Sequence, residues 1–331
     1  MLSNNKIQKI CAEFGIGENI SINKINQGVL NDNYILETST GKYFVKSVRE
    51  KAKDRLKTIY GTELFMGNKG VPSIAMLKTK FGEIFVSDDT EVYTLYPFIE
   101  GDKSGKYYEQ DYRNMGEMLG KIHRTGSEYV SEIPDVKQFK RPNDQIILER
   151  LMDYRKLINN KSNQDEIDRH FLDYINFKLV AIPKVKTNEL PNDTLIHGDY
   201  HPDNLLIDKN TREIIGVCDW EKSEFGPRSY ELARSLLYTC FSDGYKLEEA
   251  LCYSKKFLDG YLSVYPMDAE EIIDGLKMRI HRMTLSSWLE EKYYKGNDSR
   301  ANHFISHEID LIDGFVNQKL LEKIGELVKL V

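Results

Sequence analysis

Two polar loops joined by a hairpin pattern constrain this chain more than any other feature of its sequence. The first loop reads H-G-D-Y-H-P-D-N over residues 197–204 and follows a short apolar run. The second begins at Asp219, after two further apolar runs, 205–207 and 214–218, that flank a polar turn. Paired runs of this length around a polar turn are typical of a β-hairpin. Because a hairpin returns the chain to its starting point, the sequence predicts a single cleft lined by both loops.

Three side chains in these loops have the chemistry of a phosphoryl-transfer site. We expect Asp199 to orient an attacking hydroxyl and to accept its proton. Magnesium prefers oxygen ligands, and the amide of Asn204 and the carboxylate of Asp219 supply them. Taken singly, all three are ordinary turn or capping residues. Their joint spacing favours a site with Asp199 as the catalytic residue and Asn204 and Asp219 as the Mg²⁺ ligands.

Both motifs resemble those of the aminoglycoside phosphotransferase family, the small-molecule branch of the protein-kinase-like fold. The loop reads H-G-D-x-x-x-x-N where protein kinases have H-R-D-x-x-x-x-N, and C-D-W stands where they have D-F-G. The family also includes choline, homoserine, methylthioribose and hexosamine kinase-like enzymes and spore-coat relatives. The resemblance implies transfer of a γ-phosphate from ATP or GTP to a hydroxyl of a small molecule, with Mg²⁺ as cofactor. The chain departs from the family at Glu231, where many relatives have an Asp that braces the catalytic loop.

The order of the predicted elements agrees with that fold. A short helix is predicted at 6–14 and a second at 51–66, among β-type runs at 20–25, 33–38, 42–48, 77–79, 83–86 and 91–98. Later helices are predicted at 111–123, 230–240, 247–261 and 269–294, and over the last thirty residues. We therefore predict an α+β, protein-kinase-like two-lobe fold, with a small antiparallel sheet and one helix in the N-lobe and a larger, mainly helical C-lobe. The predicted bounds are 1–96 for the nucleotide-binding N-lobe, 97–101 for the hinge and 102–331 for the C-lobe.

The resemblance also assigns nucleotide contacts in the N-lobe. Lys46, on a predicted strand, corresponds to the kinase lysine that pairs with the α- and β-phosphates. Its helix partner is predicted to be Glu63, with Glu50 as the rival. Gly28 and Asn31 fit a phosphate-covering turn, although the G-x-G-x-x-G pattern is absent and a plain hairpin turn is an alternative. In the hinge, the predicted walls of the nucleotide-base pocket are Tyr96, Phe98 and Ile99.

The acceptor is expected to bind near the late helices. Aromatic and acidic side chains cluster there at Trp288, Glu290 and Glu291, and they suit a sugar or an amine. An amphipathic helix with Trp288 in the core is the alternative. Glu221 matches a D-x-E pattern and is either a helper near the metal or a solvated charge. The acceptor class stays open among amino sugars, sugars, amino alcohols and homoserine.

Composition excludes several classes of partner. A net charge of −6 argues against nucleic-acid binding, which needs a basic face. No apolar run has the length of a membrane span or a secretory signal. The four Cys residues form no C-x-x-C pair, which indicates reduced thiols and a cytoplasmic protein.

Two other functions compete with the small-molecule kinase. A catalytically weak or inactive kinase-fold scaffold, such as a spore-coat protein, usually lacks the base, a metal ligand or the lysine, and all are present here. A true protein kinase needs a long activation segment, whereas about ten residues separate Asp219 from the next predicted helix.

Overall fold

The N-terminal part of the chain folds into one antiparallel sheet. A computed structural model describes residues 2–25, 32–49, 53–88, 91–102, 105–129, 133, 135–141, 143–185, 187–242, 244–300, 302–317 and 320–329. The sheet has the strand order β1-β2-β3-β5-β4. Its strands are β1 (Asn19–Ile25), β2 (Asp32–Thr38), β3 (Gly41–Arg49), β4 (Val86–Ser87) and β5 (Glu91–Pro97).

Two helices accompany this sheet: one precedes β1 in the sequence, and the other follows β3. Helix α1 (Asn4–Phe14) covers one face, where Ile7 and Ile10 pack with Val45 in a small apolar cluster. Because side chains alternate along a strand, Lys46 lies on the opposite face, toward the rest of the chain. Helix α2 (Lys53–Asn68) follows β3 and joins the main core of the helical part.

The rest of the chain is mainly helical, with two short two-stranded sheets. The helices are α3 (Glu109–Gly126), α4 (Asp144–Asn159), α5 (Glu166–Ala181), α6 (Arg228–Cys240), α7 (Leu247–Val264), α8 (Ala269–Thr284), α9 (Trp288–Glu290), α10 (Phe304–Val316) and α11 (Leu320–Lys329). The short strands are β6 (Thr194–Ile196), β7 (Leu205–Ile207), β8 (Ile214–Val217) and β9 (Glu224–Gly226). Strand β6 pairs with β9, and β7 pairs with β8, so the predicted hairpin is formed.

Helices α3 and α7 are packed unusually closely at the centre of the main core. A Cβ atom on Gly116 would lie 1.9 Å from the backbone oxygen of Phe257, so only glycine permits this approach. The two helices carry His123 and Tyr261, which support the loop described below. No helix in the described part of the chain is long and apolar enough to cross a membrane.

Three predicted elements differ from the structure, and one of them is the strand predicted at 83–86, which is reduced to β4, Val86–Ser87. The single helix predicted over 269–294 ends at Thr284, and a π-helical turn, Glu291–Lys295, follows α9. The break is stabilised from outside, because Lys178 Nζ donates a hydrogen bond to the Ser286 carbonyl at 2.8 Å. The strand predicted at 77–79 is absent, since the Thr79 hydroxyl accepts the backbone N–H groups of Phe81 and Glu83 and closes a tight turn instead.

Candidate active site

The loop that follows β6 is held from below by a buried carboxylate. Glu231, in the first turn of α6, is fully buried and accepts the backbone N–H groups of His197, at 2.8 Å, and Gly198. His123 Nε2 lies 3.0 Å from the same carboxylate and completes its hydrogen bonds. Burial disfavours the charged form, but the bonds from His123 and His197 outweigh it and hold the pKa of Glu231 below its usual range. The bracing role predicted for an acid at this position is therefore confirmed.

His197 connects this loop to the one that carries Asp219. Its ring is fully buried, and Nε2 donates to the Cys218 carbonyl at 2.9 Å. Nδ1 accepts the backbone N–H of Asp199 at 3.2 Å, which leaves the neutral tautomer with the proton on Nε2. Burial lowers the pKa of His197, in agreement with that neutral form. One ring thus fixes the backbone of both loops.

The glycine of the loop is needed for a second contact between the same two loops. Gly198 has φ +78°, and a Cβ atom there would lie 2.0 Å from the backbone oxygen of Lys222. The turn after Asp219 therefore packs directly on the backbone of the 197–204 loop. Asp219 itself has φ 66°, a left-handed conformation that Asp tolerates better than most residues. Backbone strain of this kind is common at functional sites and costs about 1–3 kcal/mol.

Asp199 lies between two cations. Its Oδ1 accepts a hydrogen bond from Arg234 Nη2, and its Oδ2 accepts one from Lys222 Nζ at 2.8 Å. Burial alone would raise the pKa of this carboxyl, but the charges of Arg234 and Lys222 hold it well below its usual range. Asp199 is therefore ionised at neutral pH and acts as a hydrogen-bond acceptor.

The two residues predicted as metal ligands lie on either side of the β7–β8 hairpin. Asn204 Nδ2 donates to the Asp199 carbonyl at 2.8 Å, which leaves its amide oxygen as the atom that can bind a cation. The backbone N–H of Cys218 donates to the Asn204 carbonyl at 3.0 Å and ties the ends of the hairpin together. An amide oxygen and a carboxylate, supplied from the two ends of this hairpin, are donors of the kind that suits Mg²⁺.

Lys46 reaches into the same cleft from β3. Its ammonium lies 2.9 Å from Asp219 Oδ1 and 2.6 Å from Glu221 Oε1, and 8% of the residue is exposed. Burial opposes the charge, but Asp219 and Glu221 more than compensate and raise the pKa of Lys46. Glu221, which we expected to be a helper near the metal or a solvated charge, is thus a partner of Lys46.

The ion pair predicted between Lys46 and Glu63 is not formed. Glu63 is 1% exposed and accepts the backbone N–H of Met76 at 2.9 Å and the hydroxyl of Tyr96 at 3.1 Å. Burial raises the pKa of Glu63 to about 8, so the carboxyl is mainly protonated at neutral pH. A neutral side chain does not compete with Asp219 for the ammonium of Lys46. Glu50, the rival partner, lies outside the described residues.

The nucleotide contacts predicted elsewhere in the N-terminal part are placed as follows. The Tyr96 hydroxyl points toward α2 and binds Glu63. The backbone N–H of Phe98 donates to the Lys42 carbonyl at 3.4 Å and extends the sheet. The backbone of Ile99 forms no hydrogen bond with any described residue. Gly28 and Asn31, the predicted phosphate-covering turn, lie outside the described residues.

The residues predicted to bind the acceptor have partners within the helical part. The charge of Glu290 is paired with Lys178 at 2.7 Å, and both side chains are fully buried. The indole of Trp288 donates to Glu308 at 3.0 Å, and Glu291 lies 3.3 Å from Arg150. Because these contacts tie α4, α5, α9, α10 and the π-helical turn together, we assign Trp288, Glu290 and Glu291 to the fold.

Two residues that contact Asp199 were not predicted from the sequence. Lys222 follows Asp219 by three residues and looks like a surface lysine, with 52% of its side chain exposed. Arg234 follows Glu231 by three residues, so both side chains lie on the same face of α6, toward the loop. That helical spacing is a signal that sequence reasoning had available for Arg234.

Comparison with known proteins identifies the family. The model of the phosphotransferase enzyme family matches residues 21–265. The homoserine kinase of Neisseria meningitidis serogroup B is 24% identical over 270 residues, which cover 82% of each chain. The homoserine kinase of Rhizobium meliloti is 24% identical over 298 residues, which cover 87% of this chain and 86% of the relative.

Solved structures show the same fold. Spectinomycin phosphotransferase, in complex with ADP and spectinomycin, has a TM-score of 0.72 at 16% identity and covers 99% of both chains. A microcompartment-associated aminopropanol kinase has a TM-score of 0.63 at 14% identity and covers 97% of this chain and 100% of that one. This likeness confirms the predicted α+β, protein-kinase-like fold. Because the family model spans most of the chain, including the loops of Asp199 and Asp219, the chain belongs to the phosphotransferase enzyme family and is a small-molecule kinase.

Proposed function

We propose that this protein transfers the γ-phosphate of ATP or GTP to a hydroxyl of a small molecule, with Mg²⁺ as cofactor. The observation that carries the proposal is the link between the two loops. The ring of His197 hydrogen-bonds both the backbone of Asp199 and the carbonyl of Cys218, the residue before Asp219. Asp199, which would orient the acceptor, and Asp219, which would bind the metal, are thereby fixed relative to each other.

Asp199 acts first as the hydrogen-bond acceptor that positions the substrate hydroxyl. The acceptor hydroxyl donates its hydrogen bond to the carboxylate, and its oxygen attacks the γ-phosphorus. The bond between that phosphorus and the bridging oxygen breaks, and the nucleoside diphosphate leaves. Because the pKa of Asp199 lies well below its usual range, the proton moves to the carboxylate late, when the new ester bond has formed, and then passes to solvent. Late proton transfer suits phosphoryl transfer, in which orientation and charge stabilisation matter more than a strong base.

Lys222 is suited to the charge that develops on the transferred group. Its exposed ammonium lies 2.8 Å from Asp199 Oδ2, next to the carboxylate that orients the hydroxyl. A cation at this position neutralises phosphoryl oxygens during transfer.

Lys46 binds the nucleotide phosphates in this proposal. Its raised pKa keeps it charged, and Asp219 and Glu221 hold it at the cleft. Glu63 contributes by fixing Tyr96 and the backbone of Met76, so its role is to support the wall of the cleft. The unbonded backbone of Ile99 is suited to pair with the nucleotide base, beside Tyr96 and Phe98.

Mg²⁺ would be held by the Asp219 carboxylate and the Asn204 amide oxygen. Both are oxygen donors, and Asp219 keeps 38% of its side chain exposed, which leaves room for an ion. When bound, the ion neutralises charge on the triphosphate and orients it. A backbone hydrogen bond from the Cys218 N–H to the Asn204 carbonyl, at 3.0 Å, holds the segments that carry these two ligands together.

The acceptor lies among amino sugars, sugars, amino alcohols and homoserine-like compounds. Relatives named for homoserine and neighbours named for spectinomycin and aminopropanol support this range. We also propose that residues 1–96, 97–101 and 102–331 act as nucleotide-binding lobe, hinge and acceptor-binding lobe, and that the protein works in the cytoplasm without nucleic acid or membrane partners.

The test is a screen for nucleotide turnover with product mass. ATP and GTP are each offered with amino sugars, sugars, amino alcohols and hydroxy amino acids, in the presence and absence of Mg²⁺. A product heavier than its acceptor by one phosphoryl group, formed only with Mg²⁺, is the expected result. No such product with any acceptor would contradict the proposal and favour a scaffold.

A further inference from the structure

Two arginines share one tyrosine ring beside Asp199. The guanidinium of Arg234 lies 4.8 Å from the ring centroid of Tyr238, and that of Arg279 lies 5.3 Å from the same centroid. Arg279 Nη2 also donates to the Tyr238 hydroxyl at 3.3 Å. Arg234 and Tyr238 are one turn apart on α6, and Arg279 reaches them from α8. The three side chains therefore form a cationic cluster that begins at the carboxylate of Asp199.

The charges in this cluster are not balanced. The charge of Arg234 is matched by Asp199. Arg279 forms no ion pair with any acidic residue in the described ranges, and its Nε is buried without a hydrogen-bond partner. Glu308, whose charge also acts on Tyr238, already accepts hydrogen bonds from Tyr174 and Trp288. Among the described residues, the positive charge of Arg279 thus has no acidic partner.

The cluster is open to a ligand. Tyr238 is 39% exposed, although its neighbours on α6 are buried. The ring centroid of His201, from the loop that carries Asp199, lies 6.0 Å from that of Tyr238. A small molecule that rests on Tyr238 therefore has Arg279 on one side and the catalytic loop on the other.

The local potential supports an anion. Burial alone would raise the pKa of Tyr238, yet Arg279 and Arg234 together lower it below its usual value. A cationic acceptor would meet repulsion from these two guanidinium groups and from Lys222. An acceptor with a single negative charge would meet one unpaired guanidinium with a planar donor fork, which matches a carboxylate.

We infer that Arg279 and Tyr238 bind a carboxylate group of the acceptor, so that the substrate class is a small hydroxy acid, such as a hydroxy amino acid. This inference rests on the proposed kinase function and narrows it. Arg279 would hold the carboxylate while Asp199 receives the hydroxyl, and Arg234 would separate the two anions. Amino sugars and amino alcohols, which lack the carboxylate, are disfavoured.

Matched acceptor pairs test this directly. Homoserine and aminopropanol, and likewise serine and ethanolamine, differ by one carboxylate and keep the hydroxyl and the amine. We expect kcat/KM to be higher for the carboxylate member by roughly ten- to a hundredfold, the range of a charge-assisted hydrogen bond. Equilibrium binding of the same compounds to enzyme loaded with Mg²⁺ and a non-hydrolysable nucleotide should show the same order.

The variant Arg279→Met should remove this preference. It keeps the length of the stem and loses the fork, so kcat/KM for the carboxylate member should fall by a similar factor and that for the amino alcohol should change less than about threefold. Arg282→Met is the control, since Arg282 lies on the same helix with its guanidinium 4.6 Å from the ring centroid of Phe139. Thermal melting of both variants checks that they are folded.

The outcomes separate this inference from the proposed function. Equal or absent responses to both members of every pair, in turnover and in binding, would overturn the carboxylate subsite. Preference for a carboxylate that persists in Arg279→Met would overturn its assignment to Arg279. Transfer to amino alcohols alone would leave the kinase function intact and refute the inference, whereas no transfer to any acceptor would refute the kinase function itself.

Discussion

Replacing Glu231 should destabilise the 197–204 loop, whose backbone it binds. This carboxylate accepts two backbone N–H groups, of His197 and Gly198, and a contact from His123. In Glu231→Gln, the amide nitrogen must face one of these donors, so at least one buried N–H group loses its acceptor. We expect a loss of about 1–3 kcal/mol of unfolding free energy, the cost of one unsatisfied buried donor. Glu231→Ala leaves all three donors without an acceptor and should cost about 3–5 kcal/mol.

The pH dependence of stability identifies the charge as the cause. The pKa of Glu231 is lower in the folded state than in the unfolded chain, so its charge stabilises the fold above about pH 4, the usual carboxyl range. That contribution is lost as pH falls through the folded-state pKa. The difference between the parent and Glu231→Gln should therefore be largest near pH 7 and shrink in acid.

Urea unfolding at several pH values measures the loss of unfolding free energy and its pH dependence. The value of kcat reports whether the loop still holds Asp199 in position. The reduced stability of Glu231→Gln should be accompanied by a lower kcat, because the backbone of Asp199 is held through His197. A Glu231→Gln variant as stable as the parent at pH 7, with the same kcat, would show that the Glu231 carboxylate does not hold the loop in place.

Three further results are expected. Gly198→Ala should lower kcat by about a hundredfold, because its Cβ would meet the Lys222 carbonyl at 2.0 Å and displace the loop; unchanged kinetics would contradict this. Glu63→Gln should gain stability relative to the parent as pH rises from about 4 toward 8, since Gln mimics the protonated acid; urea unfolding at both limits shows the sign. Asp219→Ala should abolish Mg²⁺-dependent nucleotide binding in calorimetric titration, and Asn204→Ala should weaken it less; equal Mg²⁺ dependence in Asp219→Ala and the parent would remove the metal role.

The relative placement of the loop residues could be predicted from the sequence because local spacing fixes it. Asp199, Asn204 and Asp219 lie on one hairpin and its entry loop, so their separation along the chain determines where they meet. Lys46 was placed correctly on its strand and face because alternation along β3 is strict and the neighbouring Val45 is fully buried.

Contacts between distant segments could not be predicted in the same way. Glu63 has the position of a lysine partner, but its protonation depends on burial between Met76 and Tyr96, which only the folded chain reveals. The break after Thr284 depends on Lys178, more than a hundred residues earlier, which binds the Ser286 carbonyl. Periodicity along 269–294 carries no information about that lysine.

The residues of the proposed carboxylate subsite were not predicted from the sequence, for a related reason. Tyr238 and Arg279 are unremarkable in sequence, as an exposed aromatic and a helical arginine. Their significance comes from the packing of α6 against α8, which brings Arg279 to Tyr238, next to the Arg234 that contacts Asp199. Conversely, Glu290 looked like an acceptor contact because its charge partner, Lys178, is remote in sequence.

The proposed role of Asp199 is to orient the acceptor hydroxyl, and the kinetics of Asp199→Asn measure that role. The matched control is Asp203→Asn, in the same loop, whose side chain is 89% exposed. We expect kcat to fall at least roughly a hundredfold in Asp199→Asn, the range of a lost general base, while the Kd for Mg²⁺-nucleotide stays within about threefold and Asp203→Asn keeps the parent's kcat. Near-normal turnover of a confirmed acceptor by Asp199→Asn would show that Asp199 does not have this role.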